Sequence, residues 1–272
     1  MGRGPERDRS RAARLFAAVA AFVVGDLLRV RRAHAERAMT RAGVAEPSDT
    51  VRAMYRSLGR GLFELLRLSI RRGRHALAVR APLAELEALR ARGRGVVVAT
   101  AHTGSWDVAA CAMARVAPLT VVTKRLSVSV LDRLWQGTRR REGVRLTEAG
   151  RAARDVASAL RRGEVVAMLV DQAPERARGV VRASFLGAPA LVDLAPAYAA
   201  MRARAPLVAA FPYRDADGGH GVTLAGVFEP PARAERAWAE ETMIAVTRLL
   251  DEHVRRRPEQ WLWMHRRWKG AA

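Results

Sequence analysis

The chain has 272 residues, half of them hydrophobic and 28% charged, which allows one large domain or two small ones with a full core and excludes a disordered polyelectrolyte. Its 48 Lys+Arg outweigh 27 Asp+Glu for a net charge of +21, a balance that draws polyanions: nucleic acid, an anionic membrane surface, phosphorylated lipids or an acidic carrier protein. The lone cysteine, Cys111, excludes an internal disulfide framework, and without a Cys pair or His cluster in the sequence no structural metal is expected.

The first clear segment runs from Leu15 to Leu28, apolar except for Gly25 and Asp26, with Arg3, Arg7, Arg9, Arg11 and Arg14 before it and Arg29, Arg31 and Arg32 behind it. It is short of the ~20 apolar residues of a membrane span. Three readings stay open at this point: a signal peptide with Ala33-His34-Ala35 as its cleavage site, an interfacial anchor with Arg among the headgroups, and a core helix. Pro47-Ser48-Asp49 caps a second helix through about Arg71, with Val51, Met54, Tyr55, Leu58, Leu62, Leu65, Leu66 and Ile70 near helical spacing. Leu83 to Leu89 predicts a short helix. From Val96 strands and helices alternate: strand 96–99, helix 105–115, strand 119–123, helix 130–141, strand 144–146, helix 151–161 and strand 165–170. A long irregular segment is expected over 171–189, then helix 194–204, strand 207–211, a turn at 215–219, strand 222–228 and a last helix over 236–254. The pattern predicts a helical N-terminal segment (1–45) before a single α/β domain (46–272), its mostly parallel or mixed sheet flanked by helices on both faces.

Val96 to Ala101 delivers His102 to the strand's end, and Asp107 follows five residues on. A neutral imidazole at such an edge can take a proton from a hydroxyl, and a carboxylate on its other nitrogen fixes the tautomer; Asp107 is the candidate for that role. Ser105 reads as the cap of the following helix. A His-x4-acid pair alone is about as common as chance allows with six His and 27 acids, so the case depends on its surroundings. Lys124 and Arg125 end the next strand on the same edge, Arg139 to Arg141 close the next helix, and Asp171-Gln172 ends another strand there. Basic groups so placed can bind phosphate or steady an oxyanion. The tail, Pro258 to Lys269, mixes three Trp with four basic groups, a composition that suits a membrane interface or base stacking.

These residues together resemble the lipid A biosynthesis lauroyl/myristoyl acyltransferases, within the wider His-x4-Asp/Glu lysophospholipid and glycerol-phosphate acyltransferase group. The resemblance is carried by His102-Thr103-Gly104-Ser105-Trp106-Asp107, by Arg139 with Gly143, by Val170-Asp171-Gln172 with Phe185 to Ala190, and by Pro258-Glu259-Gln260-Trp261-Leu262-Trp263-Met264-His265-Arg266-Arg267-Trp268-Lys269. It spans roughly residues 50 to 269 and departs from the family's pattern around Thr123-Lys124-Arg125. The resemblance implies a membrane-associated O-acyltransferase of glycerol-phosphate acyltransferase-like fold, without cofactor. His102, assisted by Asp107, would deprotonate a hydroxyl of a lipid A precursor or similar glycolipid, which attacks an acyl thioester on acyl carrier protein or coenzyme A. Lys124, Arg139, Asp171 and Gln172 are the expected substrate contacts, and the cytoplasmic face of the inner membrane is the expected site. An anionic membrane surface is an expected partner and nucleic acid is not. The alternatives are a lysophospholipid, glycerol-phosphate or phosphatidylinositol mannoside acyltransferase, and a non-catalytic basic membrane- or nucleic-acid-binding protein.

Overall fold

The computed structural model describes residues 4–70, 79–124, 129–176 and 178–271; Arg125 and Arg71 lie outside them. Among the described residues seven strands form one mixed sheet: β1 (Val79–Arg80), β2 (Val96–Thr100), β3 (Leu119–Thr123), β4 (Arg145–Glu148), β5 (Val165–Leu169), β8 (Leu207–Arg214) and β9 (His220–Phe228) in the order β1-β9-β8-β2-β5-β3-β4. β8, β2, β5, β3 and β4 are mutually parallel; β9 runs antiparallel to β8, with β1 parallel to β9. The molecule is thus the single α/β unit that the alternation predicts. A hairpin of β6 (Val180–Phe185) and β7 (Ala188–Asp193) stands apart from the sheet. It replaces the irregular loop expected over 171–189: Leu186-Gly187 makes the turn, both at positive φ, and its alternating apolar residues were too few to register as strands.

Side-chain alternation sends the strands' two faces into two cores, as the two-residue period of a strand requires. Val97, Ala99, Val166, Leu207, Ala209 and Phe211 pack with the N-terminal helices α2 (Arg32–Arg41) and α3 (Pro47–Ile70), with α7 (Ala149–Arg161), α8 (Ala195–Ala203) and α9 (Arg236–Arg256), and with Trp261 and Trp263. Val96, Val165, Val208 and Ala210 pack on the opposite face with α4 (Leu83–Arg90) and α5 (Trp106–Ala114). The helix α6 (Ser129–Arg141) follows β3.

The N-terminal apolar segment is the end of α1 (Gly4–Ala21), a π-helical turn at Phe22–Leu27, and a reversal in which Arg29 and Arg31 take left-handed φ of 48° and 53°. Gly25 is required in that turn, because a Cβ there would sit 2.6 Å from the Tyr55 ring. Among the described residues no helix is long and apolar enough to cross a membrane. Ala33-His34-Ala35 lies within α2, with Ala35 fully buried.

Candidate active site

Parallel pairing of β2 with β5 decides the site. Thr100 stands opposite Leu169, so the residues two places beyond each, His102 and Asp171, leave the sheet side by side at its carboxyl edge, where open α/β sheets hold their ligands. The His102 Nδ1–H donates to Asp171 Oδ1 at 2.9 Å, and Asp171 Oδ2 takes the His102 backbone N–H at 3.0 Å and the Trp261 indole N–H at 2.9 Å. Asp171 is fully buried, while His102 keeps 15% of its side chain exposed. Burial pushes the Asp171 carboxyl up, but the charge and hydrogen bonds of His102, with His265 beside it, outweigh that and hold it well below the carboxylate range. With Nδ1 committed as donor, the His102 Nε2 lone pair is the free basic position.

Asp107 does not take the role expected of it. Its Oδ1 accepts from Arg139 Nε at 2.7 Å, Arg139 Nη2 at 2.5 Å and Trp135 Nε1 at 3.1 Å. The reason is helical geometry: α5 begins at Trp106, so Asp107 sits in its first turn and faces α6 rather than the strand edge. Arg139, 8% exposed, also donates to Gln136 Oε1 at 3.2 Å and Thr123 Oγ1 at 3.4 Å, which holds it between α6 and the end of β3. Lys124 is exposed and paired with Glu175. Gln172 lies beside the site, its amide 3.2 Å from His265 Nε2. Ser105 makes no cap; its Oγ donates to Glu64 Oε2 at 2.6 Å, and Arg214 joins both.

The tail also differs from its expected reading. Trp261 and Trp263 are completely buried, so they meet neither lipid headgroups nor bases. Instead the segment after α9, a 3₁₀ turn at Pro258–Gln260 and the residues beyond, braces the His102 loop. Gly104 N–H donates to Gln260 O at 3.0 Å, Leu262 N–H to His102 O at 3.2 Å, and the Gln260 side chain clasps the Arg214 main chain at 2.7 and 2.8 Å. Gly104, at φ 53°, is the only residue type that fits, since its Cβ would lie 2.7 Å from the Tyr213 main chain. Met264 and His265 are tied in turn to the N-terminal segment: Arg31 donates to Met264 O at 2.8 Å, and His34 Nε2 lies 3.0 Å from His265 O. The His265 ring lies tilted against that of His102, centroids 5.0 Å apart, and burial, together with the His102 charge, lowers its pKa to about 4. Sequence reasoning placed His265 within a motif but not in the site; no local spacing joins it to His102.

A cavity of about 110 Å³ opens beside this edge, between one sheet face and helices α4 and α5. Val98, Leu119, Val121, Leu169, Ala110 and Met113 give it an apolar wall, and Trp106, Asp107 and Arg139 stand at its polar end. Trp106 also meets the His102 ring edge-on at 5.2 Å, so one side chain touches both cavity and histidine.

A histidine–carboxylate pair at the carboxyl edge of a parallel sheet, beside an apolar slot, defines an α/β protein suited to proton transfer next to a bound hydrocarbon group. The particular kind follows from the chain as a whole. It belongs to the bacterial lipid A biosynthesis acyltransferase family, whose model matches residues 9–270. No match to a curated protein was found. Acyl transfer between an acyl donor and a lipid acceptor is therefore its class of activity.

Proposed function

We propose that this chain moves a fatty acyl group from a thioester, on acyl carrier protein or coenzyme A, to a hydroxyl of a lipid A precursor or similar glycolipid, with His102 as general base and Asp171 as its orienter. The observation that carries the reading is the His102 Nδ1–Asp171 Oδ1 bond at 2.9 Å, which leaves Nε2 to the substrate. His102 Nε2 takes the proton of the acceptor hydroxyl as its oxygen attacks the thioester carbonyl. The resulting tetrahedral intermediate expels the thiolate, which takes the proton back from the imidazolium. Asp171 stays ionised throughout and offsets the imidazolium charge at close range. The apolar cavity beside Trp106 takes the acyl chain, which places its reacting end near His102.

A lipid surface is the natural place for this reaction. Leu15, Val19, Phe22, Leu27 and Leu28 are 54–68% exposed although large and apolar, and Arg29 and Arg31 adjoin them. A helix with this composition lies in the interface plane, apolar face in the acyl region and Arg among anionic headgroups. Since thioester donors are cytoplasmic, the cytoplasmic face of the inner membrane is the proposed location.

The test is to incubate detergent-purified protein with an acyl carrier thioester and a lipid A precursor and to read products by mass spectrometry. An acylated precursor from wild type, and none from a folded His102→Ala variant, is the expected result. Wild-type turnover by His102→Ala refutes the mechanism. Retention on anionic vesicles, lost when Phe22, Leu27 and Leu28 are replaced by Ser, tests the surface; unchanged retention refutes it.

A further inference from the structure

Three groups at the ends of β2 and β5 and in the C-terminal segment share a geometry that proton transfer does not use up. One ligand atom from each of His102, Asp171 and His265 can be chosen so that all lie within 4.8 Å of one another. The Asp171 carboxylate is held unevenly. Its Oδ2 takes two fixed N–H donors, from Trp261 and the His102 main chain, and lies 3.2 Å from the His102 ring Nδ1, whereas Oδ1 has that ring nitrogen as its partner at 2.9 Å. Donors that lock a carboxylate from behind are what metal-binding carboxylates need from their surroundings. The His265 side is held as well: Gln172 sits against its ring and His34 against its carbonyl.

Two imidazoles and one carboxylate form a donor set for a borderline divalent ion such as Zn²⁺ or Co²⁺. At bond lengths of about 2.0–2.2 Å, tetrahedral ligands stand roughly 3.3 Å apart. His102 Nδ1 and Asp171 Oδ1, now 2.9 Å apart across a hydrogen bond, need to part by only about 0.4 Å to reach that separation. Since the three ligand atoms lie within 4.8 Å of one another, drawing the cluster in to that spacing takes a shift of about 1.5 Å, within the reach of a side-chain rotation.

We propose that His102, Asp171 and His265 form a binding site for Zn²⁺-class divalent ions, and that the bound ion inhibits the enzyme. The ion replaces the Nδ1 proton of His102, which leaves to solvent, and is bound by Asp171 Oδ1 and a ring nitrogen of His265, with water completing the shell. It neither enters the apolar cavity nor touches Trp106. It acts on the far nitrogen: with a dication on Nδ1, Nε2 accepts a proton only against strong repulsion, and the base is lost. Turnover falls while the acyl donor's KM stays. The binding claim stands on geometry alone; the kinetic claim rests on the acyl-transfer reading given above.

The experiment titrates the metal-free full-length protein with Co²⁺, followed by its visible ligand-field absorption, and with Zn²⁺ by calorimetry. One ion per chain with low-coordinate, intense Co²⁺ bands is expected. His265→Ala and His265→Asn, both checked by thermal melting, should bind at least about tenfold more weakly, whereas His220→Ala, outside the cluster, should bind as wild type does. Wild-type affinity in either folded His265 variant overturns the site, as does a wild type that takes up no Co²⁺ at micromolar concentrations. In the acylation assay Zn²⁺ should lower kcat without changing KM, and a chelator should restore it. Equal Zn²⁺ inhibition of wild type and His265→Ala overturns inhibition through this cluster. Metal binding with no acylation by metal-free wild type would instead count against the acyl-transfer reading and leave the site standing.

Discussion

Replacing Asp171 with Asn separates the roles of charge and shape at the His102 pair. The carboxylate takes three N–H groups: His102 Nδ1 at 2.9 Å, His102 N at 3.0 Å and Trp261 Nε1 at 2.9 Å. An Asn of the same shape keeps its carbonyl oxygen for the two fixed donors, the Trp261 indole and the His102 main chain. Its NH₂ then faces the imidazole and forces Nδ1 to accept, which moves the ring proton to Nε2. The base is lost to the wrong tautomer, and the imidazolium loses its counter-charge. In triads of this logic the same exchange costs about 10⁴ in kcat, so a loss of about 10³–10⁴-fold is expected, concentrated in kcat because no substrate contact changes. Stability should fall by about 1–3 kcal/mol, since the Trp261 and His102 main-chain donors keep their acceptor while the second N–H of the new amide is left buried without a partner. Initial rates of acyl transfer against donor concentration, with a urea melt on the same sample, provide the measurement. A variant that melts normally and keeps kcat within tenfold of wild type would show that Asp171 is not the group that sets the His102 tautomer.

The other expectations concern the neighbouring groups. Asp107→Ala should cost about 3 kcal/mol or more in a urea melt, because it strands the buried Arg139 charge; adding Arg139→Met should recover most of it, and no recovery would mean that the pair is not the source. Ala110→Phe, on the cavity wall, should shift the product toward shorter acyl chains, by roughly tenfold or more in selectivity per methylene displaced; an unchanged chain-length profile by mass spectrometry removes the cavity from donor binding. Burial, against the opposing Pro212 hydrogen bond, lowers the His253 pKa to about 4 from 6.5. The unfolded chain therefore binds this proton from pH 6.5 downward and the folded protein only near 4. Stability from this group is complete above pH 6.5 and falls by about 3 kcal/mol as the pH drops to 4. His265 acts in the same direction. Melts from pH 8 to 4 on wild type and His253→Gln should show a shallower fall in the variant, and parallel curves would contradict it.

The tail shows how a residue pattern can be read correctly as a motif and wrongly as a surface. Trp261, Trp263 and Arg267 are each nearly or wholly buried. Trp261 donates to Asp171, Trp263 to Pro258 O at 2.7 Å, and Arg267 to Leu191 O at 2.5 Å while standing over the Phe185 ring. Aromatic rings with a polar tip serve equally well at an interface or in a core with a partner for the N–H, and composition does not distinguish the two. Burial pushes Arg267 down to about 10 despite the nearby Asp171 charge, a sign of how far the segment has been drawn into the protein.

Periodicity alone was enough for the parallel strands and their helices, though not for the hairpin of β6 and β7. The alternation of apolar strands with amphipathic helices named β2, β3 and β5 and the helices between them to within a residue or two, because each must bury its own apolar stripe whatever its neighbours do. The tie between His102 and the carboxyl edge was likewise legible, since Val96 to Ala101 runs straight into it. Which carboxylate serves His102 was not. Asp107 is close in sequence, but the first turn of α5 carries it away toward Arg139; Asp171 is distant in sequence, and only the pairing of Thr100 with Leu169 brings it alongside. The same holds for His265, which reaches the site because Trp261 pairs with Thr103 across the His102 loop. Local spacing determines which elements form; strand order and register, which depend on the packing of the whole chain, determine which side chains meet.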